Sequence, residues 1–198
     1  MTWEEYKVEA SRSFPDLEID ELSIKQRRNT VHLVSGLITE LGELVDIHKK
    51  ELFGHQVDPL HHMEEIGDFF WYLVNLMRLE KASVDIERYI RFSQVVNLKF
   101  NTNESIKHLS RLMFVHISDM LSEDTLMLST SIRGAVEGMV FYLGRYNYDL
   151  SKILDMNIAK LKIRYPDRYT NDELTTAINY QLRAERDLEG EQKAMKNV

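Results

Sequence analysis

Proline and glycine set the first limit on what this chain can fold into. Its 198 residues hold only three prolines and eight glycines. Proline breaks helices and glycine weakens them, so their scarcity leaves room for long helices. Strict apolar–polar alternation, the mark of a half-buried strand, is scarce. No Gly/Ser linker or low-complexity block divides the chain, and the length suits one domain. The expected fold is all-α, a helical bundle formed by residues 1–198 as a single domain.

Local signals divide that domain. Residues 1–20 form an N-terminal arm with room for a short helix before Pro15. A long helix is expected from Asp20 to Leu52, with Gly54 as its stop. Asp58-Pro59 then reads as a helix start, a capping side chain followed by proline at the first helical position. The helix it opens spans 59–80, so 21–80 makes a helical hairpin. Further helices are expected near 84–97, 104–122, 130–146 and 150–163. Pro166 ends the last of these, since the residue before a proline disfavours helix. A final helix near 172–188 runs into a polar tail, together 172–198.

Order and residue type hint at an internal duplication. Phe69-Phe70-Trp71-Tyr72-Leu73 resembles Met139-Val140-Phe141-Tyr142-Leu143, and His32-Leu33 resembles His108-Leu109. Residues 86–148 are therefore read as a degenerate second hairpin. It has lost most of its acids: Asp119 alone stands near where a counterpart of Glu43 would be.

The chemistry is concentrated in two acidic motifs. Glu40-Leu41-Gly42-Glu43 is an ExxE, and Glu65-Ile66-Gly67-Asp68 is an ExxD. Residues three apart share a helix face. Leu37, Leu41, Leu44 and Val45 form an apolar stripe beside the first pair; Ile66, Phe69, Leu73 and Met77 flank the second. Each acid pair thus borders a core face. Antiparallel packing through those faces would bring four carboxylates together, and such crowding is costly unless a cation relieves it. All-oxygen ligation favours magnesium, manganese or calcium over zinc or copper. Gly42 and Gly67 each cost their helix roughly 1 kcal/mol, which makes sense where a helix or ligand approaches closely. The bland alternative is that an ExxE is a solvated helix face. A di-iron bundle, the obvious rival, needs Glu-x-x-His pairs, and no glutamate here has histidine three residues on.

Other classes are disfavoured. The net charge of −7 argues against a nucleic-acid footprint. With no cysteine there is neither a disulfide nor a thiolate site. The opening MTWEEYKVEA lacks the apolar core of a signal peptide, and apolar runs such as IGDFFWYLVNLM are too short for a membrane span. A soluble, cytoplasmic protein is expected. Phosphate-binding loops, GxGxxG, GxSxG and HExxH are all absent.

Three stretches, GLITELGELVDIHKKELFG, HHMEEIGDFFWYL and NIAKLKIRYPDRY, resemble the MazG-like nucleotide pyrophosphohydrolases of the all-α NTP pyrophosphatase superfamily. That superfamily's ExxE…ExxD signature is matched by Glu40, Glu43, Glu65 and Asp68. Its Asn, Lys and Arg-Tyr-Pro ending is matched by Asn157, Lys160, Arg164, Tyr165 and Pro166. The matched pieces cover about residues 36–80 and 150–170. The chain departs from compact members in the stretch 86–148, and some relatives, the dimeric dUTPases among them, carry tandem hairpins with one acidic copy.

The resemblance implies Mg²⁺-dependent hydrolysis of a (deoxy)nucleoside triphosphate to the monophosphate and pyrophosphate, with Mn²⁺ as a substitute ion. Glu40, Glu43, Glu65 and Asp68 would bind metal, and Glu40 or Glu43 would act on water. Asn157, Lys160 and Arg164 would bind substrate from the helix end at 150–170. Lys49 and Lys50 are weaker phosphate candidates, and Trp71 or Tyr72 could stack on a base. A homo-oligomer, with a dimer favoured, is the expected assembly.

Each role has a plainer reading. Lys160 and Arg164 also suit a solvated helix end, Trp71 and Tyr72 suit core packing, and His61 and His62, one of which could face a nucleotide, read more plainly as exposed residues at a helix start. The rival function is a non-catalytic helical interaction or regulatory protein that retains the fold.

Overall fold

The computed structural model describes residues 1–14, 24–95, 102–121 and 125–164. Every described element is helical: α1 (Trp3–Ser11), α2 (Ile24–Leu52), α3 (Pro59–Leu79), α4 (Ile86–Val95), α5 (Thr102–Arg111), α6 (Thr125–Tyr146) and α7 (Leu150–Arg164). A π-helical turn, Leu112–Ile117, and a 3-10 turn, Ser118–Leu121, follow α5. The fold is therefore all-α. The expected start of the second helix at Asp20, the Tyr165-Pro166 pair and the helix at 172–188 lie outside the described residues.

Helix ends follow the local chemistry. Thr2 caps α1 in a capping box, its hydroxyl accepting from the Glu5 amide at 3.3 Å while the Glu5 carboxylate accepts from the Thr2 amide at 2.7 Å. The Asp58 side chain accepts from the Leu60 amide at 2.9 Å, with Pro59 next in line, as its sequence signal requires. Beyond α2, Gly54 adopts φ +86° and lets the chain turn.

The long helices α2 and α3 form an antiparallel hairpin and share the most extensive contact among the described elements. Gly36 faces Tyr72, and Thr30 donates to Glu80 at 3.0 Å. Leu37, Leu41, Leu44, Ile66, Phe69 and Leu73 are fully buried between the helices and their neighbours. The two expected apolar stripes are thus core, with Val45 half-buried at the margin. On one side, α7 lies against α3, and α1 packs on both. On the other, α5 rests chiefly on α2, and the irregular turns after it meet α6.

Those turns depart from the unbroken helix expected over 104–122. Leu112 and Ile117, five residues apart, are both buried, while Phe114 and Val115 are exposed. The wider π turn brings residues at that spacing toward one side. Two glycines of α6 receive it: a Cβ at Gly138 would lie 2.1 Å from a Leu112 methyl, and one at Gly134 would lie 2.4 Å from the His116 ring. Among the described residues, no helix is long and apolar enough to cross a membrane.

The glycines of the acidic motifs differ. A Cβ at Gly67 would stand 3.0 Å from Asn157 Cβ, so α7 approaches α3 closely there. One at Gly42 would meet nothing within 4 Å, so no described helix presses against it. At Gly36 a Cβ would lie 2.2 Å from the Tyr72 ring. Gly36→Ala should therefore destabilise the protein by about 1–3 kcal/mol through overpacking. Gly42→Ala should stabilise it by up to about 1 kcal/mol through helix propensity. Parallel urea denaturation of the two variants checks both signs.

Candidate functional site

The α2–α3 hairpin brings three of the four motif acids together. One carboxylate oxygen each from Glu40, Glu65 and Asp68 lies within 4.8 Å of the others. All three side chains are half-buried. Glu43 lies on the exposed surface one turn further along α2 and is not part of this cluster. In the helix period, Glu40 falls nearer the α3 seam than Glu43 does, and three residues span less than a full turn.

Crowding changes the carboxyl groups. Burial, together with a hydrogen bond to Glu65 and the charges of Asp68 and Glu65, pushes Glu40 up to about 9. Glu65 is also raised, chiefly by burial, while its bond with Glu40 works the other way. Both shifts favour a proton held between the two carboxyl groups, on the Glu40 side. His61 Nδ1 approaches Glu65 from the helix start at 3.2 Å.

Asp68 is held by α7. Asn157 Nδ2 donates to Asp68 Oδ1 at 2.7 Å, and Lys160 Nζ donates to Oδ2 at 2.5 Å. Asn157 and Lys160 are three residues apart and both buried, so one face of α7 supplies both donors. A solvated helix end is therefore the wrong reading for Lys160. Asn157 Oδ1 in turn accepts from the fully buried Tyr6 hydroxyl of α1 at 2.9 Å.

The remaining candidates lie elsewhere. Lys49 and Lys50 both pair with Asp46, Lys50 at 2.8 Å, on the exposed side of α2. Arg164 is half-buried at the end of α7. Trp71 Nε1 donates to Ser13 Oγ at 2.8 Å, and its ring meets Phe14 edge-on, which ties it to the segment after α1. Tyr72 covers Gly36.

His62 is the clearest correction. It is fully buried, not exposed at the helix start, and belongs to a polar network with no counterpart in the sequence reading. The Tyr142 hydroxyl stands 2.6 Å from His62 Nε2 and 2.6 Å from His48 Nε2. His48 Nδ1 faces Glu51 Oε2 at 2.9 Å, and His62 Nδ1 faces the Tyr148 hydroxyl at 3.3 Å.

The carboxylate fixes the proton order, assigned here from the network. His48 donates from Nδ1 to Glu51, so its Nε2 accepts from Tyr142. The Tyr142 oxygen accepts from His62 Nε2–H, and His62 Nδ1 accepts from Tyr148. The Tyr146 hydroxyl also lies 3.1 Å from His48 Nε2, and the Arg145 guanidinium sits over the Tyr146 ring and 3.9 Å from Glu51. Burial, with the positive charges of His48, Arg145 and His61 adding to it, pushes His62 down to about 3. Burial also lowers His48, against the pull of Glu51. A signal for this network was available: His48 and His62 are placed symmetrically about the 53–58 turn, where a hairpin brings residues face to face.

Comparison with protein-family models, curated proteins and solved structures returns no significant match.

The two clusters bend stability against pH in opposite directions. Glu40 is raised from an unfolded value near 4.5, so its contribution is present below that pH and is lost as pH rises toward 9. His62 is depressed from near 6.5, so its contribution is present above 6.5 and is lost as pH falls toward 3. In chelator, unfolding free energy should fall between pH 6.5 and 9 by no more than about 1.4 kcal/mol per pH unit from Glu40. Glu40→Gln should flatten that limb and leave the loss below pH 6.5 in place. Urea titrations across the pH range test this; an undiminished alkaline slope in Glu40→Gln would contradict the assignment.

Proposed function

We propose that the protein is a divalent-metal-dependent nucleoside triphosphate pyrophosphohydrolase, similar to the MazG-like enzymes, with its centre at Glu40, Glu65 and Asp68. The observation that carries this reading is the convergence of three carboxylate oxygens from two helices within 4.8 Å. The donor set is all oxygen, which fits Mg²⁺ or Mn²⁺. The ammonium of Lys160, drawn onto Asp68, shows that the cluster attracts positive charge. A bound divalent ion would screen phosphate charge and acidify a coordinated water.

The side chains divide the remaining work. Glu40, Glu65 and Asp68 hold the ion. Glu43, exposed and outside the cluster, is left to orient and deprotonate the attacking water. Asn157 and Lys160 fix Asp68, and Lys160 is also within the site to meet a phosphate oxygen as a point charge. Arg164, one turn beyond Lys160, is the second cation for the phosphates. Bond cleavage gives the nucleoside monophosphate and pyrophosphate, with water adding its oxygen to one product and its protons shared between solvent and the products.

One observation favours a non-catalytic reading: Lys160 already supplies an internal cation to Asp68. A protein that uses its cluster as a closed polar core would need no ion. Pyrophosphate release separates the two. We expect Mg²⁺-dependent release from at least one of the canonical nucleoside and deoxynucleoside triphosphates or dUTP, and none in chelator. Glu65→Gln and Asp68→Asn should abolish it. Glu43→Gln should slow turnover by about 10²–10⁴-fold, the range for a lost general base, while keeping Mn²⁺ binding. No release from any nucleotide, with no bound Mn²⁺, would instead leave a helical interaction protein.

A further inference from the structure

Tyr6 is buried at the junction of α1, α3 and α7, and its hydroxyl points at the acid cluster without touching it. It donates to Asn157 Oδ1 at 2.9 Å and lies 3.3 Å from the Gly67 carbonyl. Asn157 passes the chain on, from Nδ2 to Asp68 Oδ1 at 2.7 Å. Three helices distant in sequence are thus joined by two consecutive hydrogen bonds that end on a proposed metal ligand.

We propose that Tyr6 is a positioning residue for the metal centre, acting through Asn157 to set the orientation of the Asp68 carboxylate. This inference rests on the metal reading above.

The argument is one of accounting. Asn157 is buried, so both ends of its amide need partners. The Asp68 carboxylate takes the NH₂ end. The oxygen end then faces α1, where Tyr6 supplies the O–H donor. Without that hydroxyl, the amide oxygen is left buried and unpaired, and the carboxamide is free to tilt toward another donor. Lys160 holds only the other oxygen of Asp68, so loss of the Asn157 bond would let the carboxylate pivot about that single contact.

The approach is also tight. A Cβ at Gly67 would stand 3.0 Å from Asn157 Cβ, so the backbone of α3 presses Asn157 from behind and limits its choice of rotamer. Burial and the negative charge of Asp68 push the Tyr6 phenol well above its ordinary value, which keeps it a donor at any working pH. Donation into the amide oxygen polarises the amide and strengthens its own N–H bond to the carboxylate.

Partners that orient a ligand typically matter to metal affinity by about 10–100-fold. The test is Mn²⁺ binding, read by electron paramagnetic resonance of the free ion, in a cycle of wild type, Tyr6→Phe, Asn157→Ala and the double variant. We expect Tyr6→Phe to weaken Mn²⁺ affinity by about tenfold, and Asn157→Ala by at least as much. The double variant should bind no more weakly than Asn157→Ala, because the hydroxyl has nothing left to act through.

Trp3→Phe controls for loosening of α1. Trp3 stacks on Tyr6 with ring centroids 5.6 Å apart but takes no part in the hydrogen-bond chain. It should keep wild-type affinity. Unchanged Mn²⁺ affinity in Tyr6→Phe, multiplying penalties in the double variant, or an equal loss in Trp3→Phe would each overturn the proposal while leaving the metal centre intact. No Mn²⁺ binding by the wild type would overturn the metal reading itself, and this inference with it.

Discussion

The structure turns on the cost of placing carboxylates at a helix–helix seam. Glu40, Glu65 and Asp68 converge where α2 and α3 pack, beside fully buried leucine and phenylalanine side chains. Three like charges there would force the helices apart. The chain answers with a proton shared between Glu40 and Glu65, an ammonium on Asp68 and an amide beside it. Each answer fixes another piece of the fold. Lys160 and Asn157 bring α7 against α3, Gly67 makes room for that approach, and Tyr6 then fastens α1 behind Asn157. Polar contacts of α1 and α7 with α3 thus lead to Asp68, alongside apolar ones such as Trp3 against Phe70.

That dependence explains why the hairpin was legible in the sequence and its surroundings were less so. Asp58-Pro59, Gly54 and the apolar stripes are local signals, and each stands where the spacing put it. Helical spacing also put Glu40 near Glu65 and Asp68. Glu43 was harder, because a separation of three residues leaves about 60° between two side chains, enough to put one on the seam and the other in water. The π turn at Leu112–Ile117 escaped notice because its cause, the pair of glycines on α6, lies some twenty residues away in the chain.

Tyr6 and the His48–Tyr142–His62 network were missed for a related reason. A tyrosine on a short helix carries no mark of its partner, and the symmetric placing of His48 and His62 about the turn marks their pairing but not the tyrosine between them. Only pairing across the fold identifies it. His62 shows how misleading a local reading can be: it follows the exposed Pro59 by three residues, yet it has no exposed surface. Lys160 was placed at the site by resemblance, but its bond to Asp68 came from the geometry of α7 alone.

The phenol between two imidazoles has one further consequence. Tyr142 is donor to one histidine and acceptor for the other, so a single oxygen satisfies two rings carried on different helices. Its replacement by phenylalanine would take one partner from each ring at once, leaving His48 with Glu51 and Tyr146 and His62 with Tyr148. The three positions are therefore coupled through one oxygen, and a substitution at any of them is felt on both helices of the hairpin and on α6 together.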